Sequence, residues 1–250
     1  MRALIISDVH SNLEALDAVL KLAPAHDTMW NLGDTVGYAA NPNEVIERLS
    51  RLPGVSIRGN HDRACASQEE MDDFSPVADR AVQWTRQVLS RNYREWLQRL
   101  LPGPVPLQGR ALSCVHGSPI DEDEYLVSDD DAAIALEATD ARITFFGHTH
   151  KQVGFATDGD QLCVLEPLFS SDNEPDDYEV PLRSGLRYLL NPGSVGQPRD
   201  GDWRAAFAIY DEARSLFTWY RVPYDFLKTQ DSIRRAGLPE FLAARLRQGR

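Results

Sequence analysis

Short apolar runs alternate with helical patterns through the first half of the chain, and that order admits few folds. Ala3 to Ser7 reads as a buried strand, and Asn12 to Leu22, with Leu13, Leu16, Val19 and Leu20, has the spacing of an amphipathic helix. Met29 to Leu32 is a second strand, Pro42 to Leu52 a helix with proline near its first turn, and Val55 to Arg58 a third strand. This order predicts a parallel α/β core, because parallel neighbours need a crossover that a helix supplies. A helical stretch is expected from about Pro76 to Leu101, with Trp84 and Trp96 as packing residues. Ala111 to Val115 and Arg142 to Phe146 read as two more strands. After residue 150 the texture changes to Gly- and Asp-rich turns between β-like runs, at Leu162 to Leu165, Leu186 to Leu190, Ala205 to Tyr210 and Leu216 to Val222. Those runs predict a second, more antiparallel sheet packed on the first. Ser170 to Tyr178 reads as a solvated loop. Residues 1–250 are read as one domain, with a C-terminal helix, about residues 225–250, outside its motif-bearing part.

Each of five strands ends in residues that bind hard or borderline metals. The blocks are Asp8-Val9-His10, Gly33-Asp34, Gly59-Asn60-His61-Asp62, His116-Gly117 and Gly147-His148-Thr149-His150. Carboxyl ends of neighbouring strands form a rigid crevice where ligands collect. Within Asp8-x-His10 and His148-x-His150 an extended backbone would point both side chains the same way. Glycines at 33, 59, 117 and 147 suit sharp exits where the backbone passes close to something. A lone histidine is more often a satisfied core or surface residue than a ligand. Here five of the six histidines fall at these strand ends, and His26 is the ordinary one.

Composition narrows the chemistry. The net charge of −12, from 26 basic and 38 acidic residues, argues against an extended nucleic-acid partner. No apolar run approaches the ~20 residues of a membrane helix, and Met1 to Ile6 is too short for a signal peptide's apolar core, so a cytoplasmic location is expected. Cys65, Cys114 and Cys163 form no paired motif and read as small buried thiols. Two divalent cations would bring four positive charges against two negative ones from Asp8 and Asp34. That surplus could hold an anionic ester inside an acidic protein. Metals also lower the pKa of bound water toward ~7, which supplies a nucleophile at neutral pH.

Together the five blocks resemble the calcineurin-like metallophosphoesterases, whose pattern is D-x-H, G-D, G-N-H-D or G-N-H-E, H, and G-H-x-H in that order. Gly33-Asp34-Thr35-Val36-Gly37-Tyr38 and Asn191-Pro192-Gly193-Ser194-Val195-Gly196 look more like the small bacterial and archaeal branch, with its phosphodiesterases and diadenosine-tetraphosphate hydrolase relatives. The resemblance covers roughly residues 1 to 222. It implies a four-layer α/β sandwich of two mixed β-sheets flanked by helices. It also implies two divalent metal ions, manganese first, with iron, nickel, cobalt and zinc also suited to such ligands. One metal would be held by Asp8, His10 and His150, the other by Asn60, His116 and His148, with Asp34 bridging. His61 would protonate or stabilise the leaving oxygen, oriented by Asp62. The implied reaction is hydrolysis of a phosphodiester or nucleotide by a metal-bound hydroxide, with diadenosine-polyphosphate hydrolysis or phosphomonoester hydrolysis as alternatives. Relatives acting on phosphoproteins continue the second block as G-D-x-x-D-R, which this chain lacks. The phosphate-clamping arginine is therefore unassigned. Arg58 is expected to point into the sheet layer, and Arg199 and Arg204 are open candidates, as is Tyr125 for stacking on a base. A haloacid-dehalogenase-type phosphatase needs D-x-D where this chain has Asp8-Val9-His10, and a non-catalytic scaffold on the same fold would usually have lost ligands.

Overall fold

A computed structural model describes residues 1–67, 74–107 and 111–250 of the chain. Its first sheet is opened by β1 (Arg2–Ile6), β2 (Thr28–Asn31) and β3 (Gly54–Ser56), which run parallel. The crossovers are α1 (Leu13–Leu22) and α2 (Pro42–Leu49). The Asn12 side chain accepts from Ala15 N–H and starts α1, and Pro42 starts α2, where no amide donor is missed. Three more helices follow, α3 (Asn60–Ala66), α4 (Pro76–Val88) and α5 (Arg91–Gln98). The single helix expected from Pro76 to Leu101 is thus two. It breaks at Leu89 and Ser90, both in extended backbone.

The second sheet begins with β4 (Val105–Leu107), β5 (Leu112–Cys114), α6 (Asp129–Glu137), β6 (Ile143–Phe145), β7 (Gln152–Thr157) and β8 (Leu162–Leu165). The chain then crosses between sheets through β9 (Asp176–Pro181), β10 (Arg187–Pro192), β11 (Ala205–Asp211) and β12 (Leu216–Val222). It ends in α7 (Phe226–Arg235), α8 (Glu240–Ala244) and a 3₁₀ turn, Arg245–Gln248. One sheet has the order β3-β2-β1-β11-β12-β9, the other β4-β5-β6-β10-β7-β8. The strands after residue 150 do not form a sheet of their own, contrary to the sequence reading. β11, β12 and β9 extend the first sheet beyond β1, each antiparallel to its neighbour, while β5 and β6 join β10 in the second. The expected loop Ser170 to Tyr178 is likewise corrected, since Asp176 to Tyr178 pair with β12.

The sheets face each other across a core of Ile5, Trp30, Leu112, Phe145, Leu190, Phe217 and Trp219. Leu16, Val19, Val45 and Leu49 of α1 and α2 cover the outer face of the first sheet. Ala132, Ala135 and Leu136 of α6 cover that of the second. The result is four layers, two mixed sheets flanked by helices, as expected. Burying one large apolar side chain is worth roughly 1.5–3 kcal/mol, so these layers outweigh the strain described below. Cys65 and Cys114 are buried as expected, but Cys163 is exposed. Among the described residues no helix is long and apolar enough to cross a membrane.

Candidate active site

The metal-binding blocks converge where the carboxyl ends of β1, β2, β5 and β6 meet. They do so by a backbone device different from the extended one expected. Asp8, His10, Asp34, His148 and His150 all have positive φ, at 54°, 48°, 53°, 62° and 60°. L-residues avoid this region, at about 1–3 kcal/mol each for residues other than glycine. Such turns fold the chain back at each strand exit and aim the side chains into one space. Interlocking bonds hold the turns: Asp8 N–H donates to Gly33 O (3.0 Å), His10 N–H to Asp34 O (2.9 Å) and Gly147 N–H to His116 O (2.8 Å). Side chains add to this, with His61 N–H donating to Asp34 Oδ1 (2.8 Å) and His148 N–H to Asp8 Oδ2 (3.2 Å). Two glycines are required by close approach. A Cβ at Gly59 would run into the Asp34 carboxylate, and one at Gly147 into Ser7 Oγ. The Asn191–Gly196 loop braces Asp8 from behind: Ser194 Oγ–H donates to Asp8 O (2.8 Å), and Asn191 Nδ2 donates to Gly147 O (2.8 Å).

The seven candidate ligands fall into two groups that share Asp34. Asp8, His10, Asp34 and His150 form one, and Asp34, His116 and His148 the other, each with its ligand atoms within 4.8 Å of one another. Asn60 joins the second, its Oδ1 lying 3.2 Å from His116 Nε2. The protons show what this space suits. The Nδ1 atoms of His10, His116 and His150 face the carbonyls of Val36 (3.1 Å), Leu32 (2.8 Å) and Gln197 (2.6 Å), so each donates there as N–H. A neutral ring then has a bare lone pair on Nε2. His10 Nε2 and His150 Nε2 stand 3.1 Å apart, and His10 Nε2 is 3.5 Å from Asp34 Oδ2. Asp8 Oδ1 is buried without a hydrogen-bond partner. Acceptors converging on acceptors repel unless a cation lies between them. The residues therefore fit a metal.

Burial governs titration here. It holds His10 and His150 well below the ordinary imidazole value, against the opposing pull of the Asp34 carboxylate. It takes His148 down to about 3, with His116 repelling its charged form. Asp8 is pushed up to about 7 by burial, with the Asp34 charge adding to the shift. For His116 burial acts downward, but the attraction and hydrogen bond of Asp34 prevail and raise it to about 10. Negative charge is thus concentrated on Asp34, between the two groups.

Around the cluster opens a cleft of about 700 Å³ lined by Tyr38, His61, Phe74, Tyr125, Arg199 and Arg245 among others. His61 is buried between Tyr38 (ring centroids 4.4 Å) and Phe74 (4.7 Å), and its Nδ1 has no hydrogen-bond partner. Asp62 makes no hydrogen bond to the His61 Nδ1. Its two oxygens accept from Val36 N–H (3.1 Å) and Gly59 N–H (3.2 Å), fixing the turn that carries His61. Tyr125 lies against His148 at 3.9 Å between centroids, half-exposed in the cleft. Arg58 does not enter the sheet layer but donates to Glu122 (3.0 Å). Arg204 is buried on Asp202, away from the cleft, whereas Arg199 lines it. In the sequence Tyr38 carries no signal of a role beyond its block, and Arg245 carries none at all. Only tertiary docking brings the C-terminal turn to the cleft.

Residues 1–215 match the calcineurin-like phosphoesterase superfamily domain. An uncharacterized protein of Methanocaldococcus jannaschii is 34% identical over 98% of this chain and 97% of its own length. The crystal structure of a metallophosphoesterase from Sphaerobacter thermophilus is 40% identical, with a TM-score of 0.86 over 100% of this chain and 99% of that one. A hypothetical protein of Pyrococcus horikoshii shares the fold at 19% identity, with a TM-score of 0.77 over 100% of this chain and 98% of its own.

Proposed function

The chain belongs to the calcineurin-like phosphoesterase superfamily and acts on phosphate esters, and from that premise we propose that it is a dinuclear metal-dependent hydrolase of phosphodiesters or nucleotides. The observation that carries this is the convergence of three Nδ1-protonated histidines on two buried carboxylates, one shared between both groups. One ion would be held by Asp8, His10 and His150, the other by Asn60, His116 and His148, with Asp34 common to both. Manganese is the first metal to try, and iron, nickel, cobalt or zinc would also suit these donors. When bound, such ions supply charge neutralisation and lower the pKa of water, the usual source of a nucleophile at neutral pH.

The protein's own groups do the rest. His61 stands at the cleft with a ring held near neutral, its value lowered to about 4 chiefly by burial. At pH 7 it donates a hydrogen bond to the phosphoryl or leaving oxygen without bringing a fixed charge. An anionic ester beside it raises its pKa, so that more of the ring is protonated and able to give a proton to the leaving oxygen as the bond breaks. Asp62 keeps that ring in place through the backbone of Gly59 and Val36. The absence of a D-R extension after Asp34 supports a diester over a phosphoprotein. A monoester dianion would need an additional cation at the reacting phosphate, whereas a diester carries one charge.

The test is elemental analysis of the purified protein together with kcat/KM for an aryl diester, a dinucleoside polyphosphate and a phosphoserine peptide at matched metal. Two metals per chain and faster cleavage of the first two substrates are expected. A phosphopeptide ahead by tenfold, about 1.4 kcal/mol of transition-state stabilisation, would overturn the substrate class.

A further inference from the structure

We propose that Arg199 and Arg245 together bind a second anionic group of the substrate, a phosphate beyond the one cleaved, and so let the C-terminal segment select which esters are taken. This rests on the phosphoesterase reading above and narrows it to substrates with at least two phosphates, such as nucleoside or dinucleoside polyphosphates.

Both arginines line the cleft. Arg199 leaves the Asn191–Gly196 loop with its N–H bonded to His150 O (3.1 Å), so its base is tied to the cluster. Its guanidinium carbon lies 5.8 Å from the Tyr38 ring centroid, and its Nη2 donates to Gln197 Oε1 (3.1 Å). Its Nε is buried and has no hydrogen-bond partner. Tyr38 in turn touches His61, so the arginine stands one ring beyond the reacting site. Arg245 reaches the same wall from the 3₁₀ turn. Its guanidinium packs on Phe241 (5.2 Å to the centroid), and its Nε donates to the carbonyl of Arg250.

Neither arginine is ion-paired with a side-chain carboxylate among the described residues. Arg63, the third arginine of the cleft, is neutralised by Glu122 and Asp123, as Arg204 and Arg221 elsewhere are by Asp202 and Asp200. The two cleft guanidiniums also repel each other. Arg245 is lowered to about 10 by burial and by the Arg199 charge. An anion between them removes that cost and satisfies the idle donors, and planar guanidiniums suit phosphate oxygens.

The segment is firmly placed. Leu238, Leu242, Ala243 and Leu246 pack with Ala39 and Ala81 in one buried cluster that Tyr38 flanks, and Gly201 N–H donates to Gly249 O (3.0 Å). Arg245 lies beyond residues 1–215, which match the superfamily domain. It thus lies outside the superfamily domain match, on a segment suited to setting specificity.

The test compares Arg199→Gln and Arg245→Gln with Arg247→Gln, which removes the same charge from an exposed site on the same turn. The kcat/KM ratio of diadenosine tetraphosphate to bis(p-nitrophenyl) phosphate should fall at least tenfold in the first two, mainly through KM, and less than twofold in the third. Arg245→Lys should recover part of the loss. Equal losses on both esters, or an unchanged ratio, would overturn the proposal. Titration of the metal-free full chain with inorganic pyrophosphate separates this failure from that of the hydrolase reading. Binding weakened tenfold in Arg245→Gln upholds the clamp even if neither ester is cleaved. No binding by the wild type, or binding equal in the variant, refutes it.

Discussion

Asp34 is asked to serve both halves of the cluster, and its surroundings suit that. Burial works against its charge, yet His116, His61 and His10 hold its pKa well below the usual carboxylate range. Replacing it with Asn keeps the shape and removes the shared charge. Asp34→Asn should lower metal content at both positions and reduce turnover at least ~10²-fold, as read by elemental analysis and initial rates. One retained metal with full activity would contradict a dinuclear centre. His61 differs, because it has no place in either ligand group. His61→Asn should leave the metal content intact and slow esters with poor leaving groups by ~10²–10⁴-fold. Nitrophenyl esters, whose leaving group needs little protonation, should lose much less. An equal loss on both would assign His61 to phosphate binding. At this scale the sequence was informative about which residues meet, since five histidine- or carboxylate-bearing blocks sit at strand ends. It was silent on how they meet. Nothing in Asp8-Val9-His10 marks its two outer residues as left-handed, because that conformation is imposed by contacts with Gly33, Asp34 and the Ser194 loop.

The elements explain why those turns persist. A strained turn survives only where its flanks are over-determined. Here each turn lies between a buried strand and a helix or another turn bonded to it. Gly147 shows how little slack remains, since an added Cβ would meet Ser7 Oγ and lie 3.0 Å from Asp8 Oδ2. Gly147→Ala should therefore cost about 1–3 kcal/mol of stability and weaken metal binding about tenfold by displacing Asp8. Thermal melting and metal titration would show both effects, and a variant with unchanged metal affinity would mean that Asp8 can shift freely. Strand positions were mostly readable because the apolar runs are short and bounded. Their partners were not, since pairing is decided by neighbours far away in the chain. The runs at β11 and β12 look like those at β8 and β10, yet they belong to opposite sheets. β9, with the sequence Asp-Asp-Tyr-Glu-Val-Pro, reads as part of a loop in its acidic first half because an edge strand can carry a polar sequence.

On the scale of the whole molecule, folding must bury ionisable groups that water would keep charged, and pH should expose that cost when metal is absent. His61 and His148 have folded values of about 4 and about 3, and His10 and His150 also lie well below the ordinary 6.5, all chiefly through burial. As pH falls from 6.5 toward 4, the unfolded chain gains protons on these four rings that the folded chain refuses, so stability falls. Asp8 and Asp62 act oppositely. Burial raises both to about 7, so the folded chain takes up protons between pH 7 and 3.8 that the unfolded chain does not. His116, raised to about 10, is protonated when folded throughout this window, and the unfolded ring is nearly fully protonated below about pH 5.5, so it adds little slope at the steepest point. Four rings against two carboxyls leave a net uptake of about two protons on unfolding, or roughly 2–3 kcal/mol per pH unit at the steepest point. Metal-free protein should therefore lose thermal stability steeply between pH 6.5 and 4. The gain in melting temperature from added manganese should be large at pH 8 and shrink in the same window, because protons compete with metal for Asp8 and the imidazoles. His61→Asn removes one of the four rings but no metal ligand, so it should flatten the acid slope by about one proton while leaving the manganese gain in place. A metal-free melting temperature unchanged from pH 8 to 4.5 would mean that the rings are not buried in their neutral form, and the lone-pair argument for the metal site would fall with it.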